Sequence, residues 1–330
     1  MYKDKRIGVV VPAYNEEKLI RRVIETVPEF VDRIIVVDDK STDRTAEVVN
    51  EFSERRNPKV ILLQRGRNSG VGAAIISGYR KAVELGIDVV AVMAGDGQMD
   101  PEELESVIEP VVQGEVDYTK GNRLFTGEAW KRIPRYRYLG NAVLSLLTKI
   151  ASGYWHVADS QSGYTAISLE ALKTLQLDRL YKRYGFPNHL LVMLNVFHFR
   201  VRDVPTQPIY NHGEKSGIRL EKVIPTLSWL LVKCFFWRLK EKYIIRDFHP
   251  LIFFYLFGLT MVPLGLLYLA FIIFSRAFLR DLTTNRAVIE FALMLSTPAA
   301  LILDTFVIHF GLLMLLFAMW FDMEYNRDRK

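Results

Sequence analysis

The apolar run Val89–Val92 opens into Met93-Ala94-Gly95-Asp96-Gly97-Gln98-Met99-Asp100-Pro101. A short run without polar residues reads as a buried parallel strand, and ligands of open α/β sheets sit beyond the carboxyl ends of such strands. Asp96 and Gln98 would then face a ligand. Two oxygen-bearing side chains at i and i+2, separated by a glycine, suit a hard divalent cation that keeps its other positions for water and phosphate oxygens. That chemistry is the grip on a nucleoside diphosphate. An Asp-Gly pair after a strand also makes a plain turn, so the rest of the chain has to decide.

Three more runs end in polar residues. Ile7–Val11 leads into Pro12-Ala13-Tyr14-Asn15-Glu16, Ile34–Val37 into Asp38-Asp39-Lys40-Ser41-Thr42-Asp43, and Val60–Leu63 precedes Asn68-Ser69-Gly70-Val71-Gly72-Ala73-Ala74. Helix capping accounts for Ser41 or Thr42. It does not account for two consecutive aspartates at a strand end, which repel unless something cationic or donor-rich faces them. Glycines at a helix start let backbone approach a sugar or phosphate. This Gly-x-Gly lacks the third glycine of the dinucleotide fingerprint and follows the third strand instead of the first.

Between these runs lie helical patterns: Leu19, Ile20, Val23 and Val27; Ala46, Val49 and Phe52; Ala73 to Val83; Leu104, Ile108 and Val111. Strands alternating with helices of this length imply a parallel sheet with right-handed crossovers, here a nucleotide-binding α/β domain of about 120 residues. A further stretch of about 100 residues has a less regular pattern.

The chain has 330 residues, half of them hydrophobic and unevenly spread. Leu251 to Phe274 carries no charge and, at ~1.5 Å per residue, is long enough to cross a hydrocarbon core of about 30 Å. A second apolar region, Ala287 to Phe321, is densest from Pro298 onward, so two spans are expected. Asp304 and His309 lie within it and receive no role. The first residues show no signal-peptide pattern, so the soluble part is expected in the cytosol. Basic flanks at Lys240, Lys242, Arg246, Arg327, Arg329 and Lys330 fit that orientation, although Arg276, Arg280 and Arg286 between the spans weaken it. A single cysteine, Cys234, excludes an intrachain disulfide and a thiolate metal cluster. The net charge of +6 suits anionic headgroups and is too scattered to argue for nucleic acid.

Taken together, Pro12-Ala13-Tyr14-Asn15-Glu16, Val36-Val37-Asp38-Asp39, Asn68-x-Gly70-x-Gly72-x-Ala74 and Asp96-Gly97-Gln98-x-Asp100-Pro101 resemble the catalytic domain of glycosyltransferase family 2. Gly121-Asn122-Arg123, Arg137 and Asp159-Ser160-Gln161-Ser162-Gly163-Tyr164 are similar to the polyprenyl-phosphate members, of which dolichol-phosphate mannose synthase is one. The resemblance spans roughly residues 6 to 220 and implies a GT-A (Rossmann-like) fold. It implies a single hexose moved, with inversion, from a nucleotide sugar of GDP-mannose or UDP-glucose type to a polyprenyl or dolichyl phosphate. By the same resemblance, Pro12, Tyr14, Glu16, Asp38, Asp39 and Gly70 line the nucleotide. Asp96 and Gln98 hold Mg2+ or Mn2+ on the departing diphosphate. Arg123 and Arg137 meet anionic oxygens of donor or acceptor, with a solvated surface or headgroup contact as the alternative, and Asp159 completes the catalytic set. Ala94 stands where many relatives carry an aspartate, which leaves the metal fewer protein ligands.

No acidic residue lies between Asp178 and Asp203, where processive synthases carry a base, and the Gln-x-x-Arg-Trp motif of those synthases is missing. A phosphate monoester, with a second pKa near 6, is largely dianionic at neutral pH and attacks unaided. That favours a lipid phosphate acceptor. The loop Asn211-His212-Gly213-Glu214-Lys215-Ser216-Gly217-Ile218-Arg219 resembles the family's loop over the donor diphosphate, with His212, Lys215 and Arg219 as contacts; a plain linker would look the same. The expected organisation is a catalytic domain over 1–219, interfacial amphipathic helices over 220–249 and a transmembrane helical hairpin over 250–330. The expected setting is the cell or endoplasmic reticulum membrane, multi-pass, with the bilayer as a partner and a homo-oligomer left open. Two competing readings are transfer to another lipid or a growing glycan, with Asp159 as base, and a non-catalytic nucleotide-sugar-binding membrane protein.

Overall fold

The computed structural model describes residues 1–55, 57–124, 135–207, 220–282, 290 and 297–329. Seven strands form one sheet: β1 (Ile7–Ala13), β2 (Arg33–Asp38), β3 (Val60–Gln64), β4 (Val89–Val92), β5 (Tyr118–Asn122), β6 (Thr165–Ser168) and β7 (Val201–Pro205). Their order is β3-β2-β1-β4-β6-β5-β7. The first four are parallel throughout, with Val10 opposite both Ile35 and Val92. The expected parallel half is therefore present, with the expected strands. Beyond it β6 enters antiparallel between β4 and β5, and β7 closes the edge parallel to β5, so the whole sheet is mixed.

Among the described residues the α-helices are α1 (Ile20–Thr26), α2 (Thr45–Arg55), α3 (Val71–Glu84), α4 (Leu104–Val112), α5 (Arg135–Ser152), α6 (Leu169–Thr174), α7 (Phe186–Val196), α8 (Leu220–Lys240), α9 (Leu251–Leu282) and α10 (Pro298–Tyr325). Alternation along the strands splits the core into two layers. Val9, Val11, Ile34 and Val36 pack with residues of α1, α2 and α4, while Val10, Ile35 and Val37 pack with α3 and α7. The α3 backbone sits close on β1 because residue 78 is glycine: a Cβ there would lie 2.3 Å from Val10 Cγ1. The connections that matter to the site leave the carboxyl ends of β1, β2, β3, β4 and β5, and the loop that enters antiparallel β6 joins them at the same end of the sheet.

The chain forms two compact units, Met1–Arg238 with Asn326–Lys330, and Leu239–Tyr325. In the first, α5, α7 and α8 share a small cluster of Ala151, Val192, Leu231 and Cys234. The apolar stripe of α8 has two destinations: Leu227 and Leu231 are buried, whereas Ile224, Trp229, Val232 and Phe236 are exposed, with Lys233 Nζ 5.2 Å over the Trp229 ring. The last residues of the chain return to this unit, where Asn195 Nδ2 donates to Asn326 Oδ1 at 2.9 Å and Arg329 Nη1 to His198 O at 3.2 Å.

In the second unit, Leu251–Ser275 and Pro298–Tyr325 are long and apolar enough to cross a membrane, and both leave most of their surface exposed. They meet at glycines. A Cβ on Gly258 would lie 2.5 Å from Leu315 and one on Gly265 would lie 2.5 Å from Ile308 and 3.2 Å from Asp304 Oδ1. Small residues at such positions let two apolar helices approach closely. Asp304 is thus enclosed between the helices, while His309 Nδ1 lies 2.7 Å from the Thr305 carbonyl one turn earlier. A π-helical turn, Glu241–Arg246, leads into α9, and its Tyr243 hydroxyl donates to Asp322 of α10.

Candidate active site

Strand order fixes where a ligand can sit. The chain leaves β1 toward β2 and β3 and returns to β4 on the other side, which opens a crevice at the carboxyl ends of β1 and β4. The loops around it are braced by backbone: Asp39 N donates to Ala13 O at 2.9 Å and Gly95 N to Pro12 O at 3.2 Å. Pro12 is itself buried, so it shapes the crevice through its carbonyl.

The turn after β1 is held by the loop after β2. Asn15, at φ 59°, donates its N–H to Ser41 Oγ at 2.9 Å and accepts from Thr42 N at 2.8 Å, while Glu16 N donates to Thr45 Oγ1 at 2.8 Å. Ser41 and Thr42 therefore serve this brace. The cap expected of them is supplied by Asp43, whose Oδ1 accepts from Thr45 N at 3.0 Å, because Asp43 lies two residues before that helix-starting N–H. The brace leaves the Tyr14 ring 46% exposed at the rim, with Glu16 half-buried beside it.

The two aspartates after β2 are satisfied in different ways. Asp38 Oδ1 accepts from Ser41 N at 3.1 Å. Asp39, 3% exposed, pairs with Arg65 Nε at 2.9 Å and accepts from Gly70 N at 2.7 Å and Ser69 N at 3.1 Å. The donor-rich partner demanded by the sequence is thus internal. It also revises the reason for the glycines, expected to admit a ligand. Gly70, at φ 98°, would place a Cβ 2.8 Å from Lys182 O, and Gly72 would place one 2.6 Å from Tyr181 O. The chain's own backbone at 181–182 fills that space, and Ala73 N donates to Lys182 O at 3.0 Å.

Asp96 opens a tight turn, its Oδ1 accepting from Gln98 N at 3.1 Å with Gly97 at φ 70°. Burial raises its carboxyl above the ordinary value, against that backbone N–H, and no basic side chain pairs with it among the described residues. A half-buried carboxylate without a counter-charge fits a cation. Among the described residues no group of three His, Cys, Asp or Glu side chains gathers to hold a metal, so Asp96 and Gln98 would have to share one with the ligand. A concavity of about 420 Å3, open solvent included, lies beside this turn between Arg22, Val23, Ala94 and Met99. It is largely apolar and carries no carboxylate, and the polar crevice, not this concavity, suits a nucleotide.

The loop before β6 approaches from the other side, with Tyr164 OH donating to Asp100 O at 2.8 Å. Its Asp159, 4% exposed, is gripped bidentately by Arg123, Nε to Oδ2 at 2.7 Å and Nη2 to Oδ1 at 3.1 Å. Burial alone would raise the Asp159 carboxyl, but the guanidinium of Arg123 and the ammonium of Lys120 outweigh it and hold it below the ordinary range. The structure therefore brings Pro12, Tyr14, Glu16, Asp38, Asp39, Gly70, Asp96, Gln98, Arg123 and Asp159 to one end of the sheet. Arg137 lies in α5, with its side chain outside the described residues, as are His212, Lys215 and Arg219 entirely. Sequence reasoning missed Arg65, Lys120 and Asp203. A lysine inside the otherwise uncharged run Tyr118–Asn122 was the available signal.

The glycosyl transferase family 2 profile matches residues 8–176. A UDP-N-acetylglucosamine–dolichyl-phosphate N-acetylglucosaminyltransferase of Methanococcus voltae is 36% identical over 219 residues, 63% of this chain and 87% of that protein. An undecaprenyl-phosphate mannosyltransferase of Micrococcus luteus is 30% identical over 233 residues, 68% and 93% respectively. Among solved structures, glucosyl-3-phosphoglycerate synthase of Mycobacterium tuberculosis, crystallised with Mn2+, UDP and phosphoglyceric acid, aligns with a TM-score of 0.53 at 21% identity. That alignment covers 71% of this chain and 78% of the synthase and shows a shared GT-A-like sheet. With the profile covering half of the sequence and relatives aligned along most of their own length, the chain belongs to glycosyl transferase family 2.

Proposed function

We propose that this protein transfers a single hexose from a nucleotide sugar to a polyprenyl or dolichyl phosphate, with inversion, at the cytosolic face of a membrane. The observation that carries the acceptor class is the Arg123–Asp159 pair. A carboxylate held ionised by a bidentate guanidinium is a poor proton acceptor, so the nucleophile has to arrive deprotonated, as a phosphate does. The polyprenyl-phosphate acceptors in the names of the Methanococcus and Micrococcus relatives support the same class.

In this reading the exposed Tyr14 ring and Glu16 meet the base and ribose, and Asp38 and Asp39 shape that pocket. Asp39 acts by ordering the Ser69-Gly70 backbone, and Gly70 through its N–H. Asp96 and Gln98 would hold Mg2+ or Mn2+, whose charge would offset that of the diphosphate. Arg123 turns its partly exposed guanidinium to the acceptor's anionic oxygens, joined by Arg137. Asp159 keeps Arg123 oriented and takes no proton. His212, Lys215 and Arg219 cover the donor diphosphate. Residues 1–219 form the catalytic part, 220–249 lie at the membrane interface through the apolar face of α8, and α9 and α10 make the protein multi-pass.

The test incubates purified full-length protein with radiolabelled GDP-mannose, UDP-glucose and UDP-N-acetylglucosamine, each offered polyprenyl phosphate or the corresponding polyprenol. Transfer to the phosphate and not the alcohol is expected. Transfer to the alcohol or to a glycan would support the competing acceptor, and binding without transfer or donor hydrolysis would reduce the protein to a nucleotide-sugar binder.

A further inference from the structure

Behind the Arg123–Asp159 pair lies a second pair of charges, Lys120 buried and Asp203 half-buried. Lys120 on β5 has no exposed surface, and its Nζ donates to the Ser162 carbonyl. Asp203 stands directly opposite it in the parallel register of β5 and β7. Asp203 Oδ2 accepts from Ala158 N at 2.7 Å and from Asn122 Nδ2 at 3.1 Å, while its buried Oδ1 has no donor among the described residues. Asn122 Oδ1 in turn accepts from Leu124 N at 2.9 Å, so both neighbours of Arg123 are tied down.

The two charges therefore hold opposite ends of one loop. Asp203 fixes its start at residue 158 and Lys120 its end at residue 162, and Asp159 projects between those points. Taking the Lys120 ammonium fully, and the Asp203 carboxylate partly, out of water carries a desolvation cost that apolar residues at the same two positions would avoid. Burial pulls the Lys120 ammonium down to about 8, although Asp159 and Asp203 oppose that. Such an expense is consistent with placement of groups and not with stability alone.

We propose that Lys120 and Asp203 are positioning residues that clamp the 158–162 loop, so that Asp159 presents the Arg123 guanidinium to the anionic oxygens of the acceptor. This rests on the acceptor reading given above.

The experiment measures, in full-length protein, KM for polyprenyl phosphate and kcat for Lys120→Met, Asp203→Asn and the double variant. In parallel, calorimetry follows binding of whichever of UDP and GDP the wild type takes up. Each single change should raise the acceptor KM about tenfold, with nucleotide affinity within twofold of wild type. The double variant should be no worse than the weaker single, because both residues act on one loop. Asp203→Asn is isosteric and keeps the test alive if Lys120→Met does not fold. An unchanged acceptor KM in folded Asp203→Asn overturns the proposal, and so does a parallel loss of acceptor and nucleotide binding, which would mean a general role in the fold. Arg123→Lys separates the two levels. If it raises the acceptor KM while the clamp variants do not, only the clamp falls; if it leaves the KM unchanged, the acceptor reading falls with it.

Discussion

Replacing Asp159 by asparagine separates a positioning carboxylate from a catalytic base. The wild-type pair is bidentate, at 2.7 and 3.1 Å, with the carboxylate 4% and the guanidinium 33% exposed. Removing one partner of a buried pair costs about 3–5 kcal/mol, and asparagine retains the shape and one acceptor, so a loss of about 2 kcal/mol is expected. For a unit of this size that lowers Tm by about 4–8 °C. The freed guanidinium should raise the acceptor KM about tenfold. The pH profile is the deciding measurement. Arg123 and Lys120 keep the Asp159 carboxyl below the ordinary range despite its burial, so it stays charged from pH 5 to 8 and cannot supply an acidic limb there. The acceptor phosphate, with a second pKa of about 6, can. One enzyme group competes for that assignment, because burial pushes the Asp203 carboxyl up to about 6. Single-turnover rates of sugar transfer between pH 5 and 8 for wild type, Asp159→Asn and Asp203→Asn resolve the three origins. The limb should persist in both variants at reduced amplitude. Its disappearance in Asp159→Asn would refute the phosphate-acceptor mechanism, and its disappearance only in Asp203→Asn would move the limb from substrate to protein.

Asp96→Asn should abolish transfer and weaken nucleoside diphosphate binding only in the presence of Mg2+ or Mn2+; calorimetry with and without EDTA checks this, and equal affinities under both conditions in wild type would remove the metal from the site. Gly72→Ala drives a Cβ to 2.6 Å from Tyr181 O and 2.7 Å from Phe186 Cβ. It should cost about 1–3 kcal/mol by overpacking and weaken nucleotide binding as the backbone around Asp39 shifts, read by thermal unfolding with and without nucleotide. Burial pulls the His189 imidazole down to about 4, so between that value and the ordinary 6.5 the unfolded chain binds a proton that the folded chain does not. Stability should fall as pH drops through this window, by up to about 3 kcal/mol from this residue. Asp203 acts in the opposite sense over nearly the same range, since its raised carboxyl is protonated earlier in the folded state. The difference in unfolding free energy between wild type and His189→Gln, followed from pH 7 to 4.5, therefore isolates the histidine, and parallel curves would show that its imidazole is not desolvated.

Legible from the order of residues alone were the first four strands, the helices between them, the end of the sheet that carries the polar loops, and two helices able to span a membrane. Those features are written locally: burial on both faces gives a run such as Ile34–Val37, burial on one face gives the spacing of Leu104, Ile108 and Val111, and a span is a count of uncharged residues. Even the need for a partner to Asp38-Asp39 was readable, because repulsion between neighbours is local. Which partner answers it was not. Arg65 reaches Asp39 from just beyond the end of β3, and residues 181–182 fill the space that Gly70 and Gly72 leave. The antiparallel entry of β6, the return of Asn326 to Asn195, and the register that sets Lys120 against Asp203 were likewise decided only in the folded chain. Each joins residues far apart in sequence, Asn122 and Asp203 being separated by 81 positions, so no window of neighbouring residues contains both halves of the contact. A buried charge announces that a partner exists; only the tertiary arrangement of strands determines which one comes within reach.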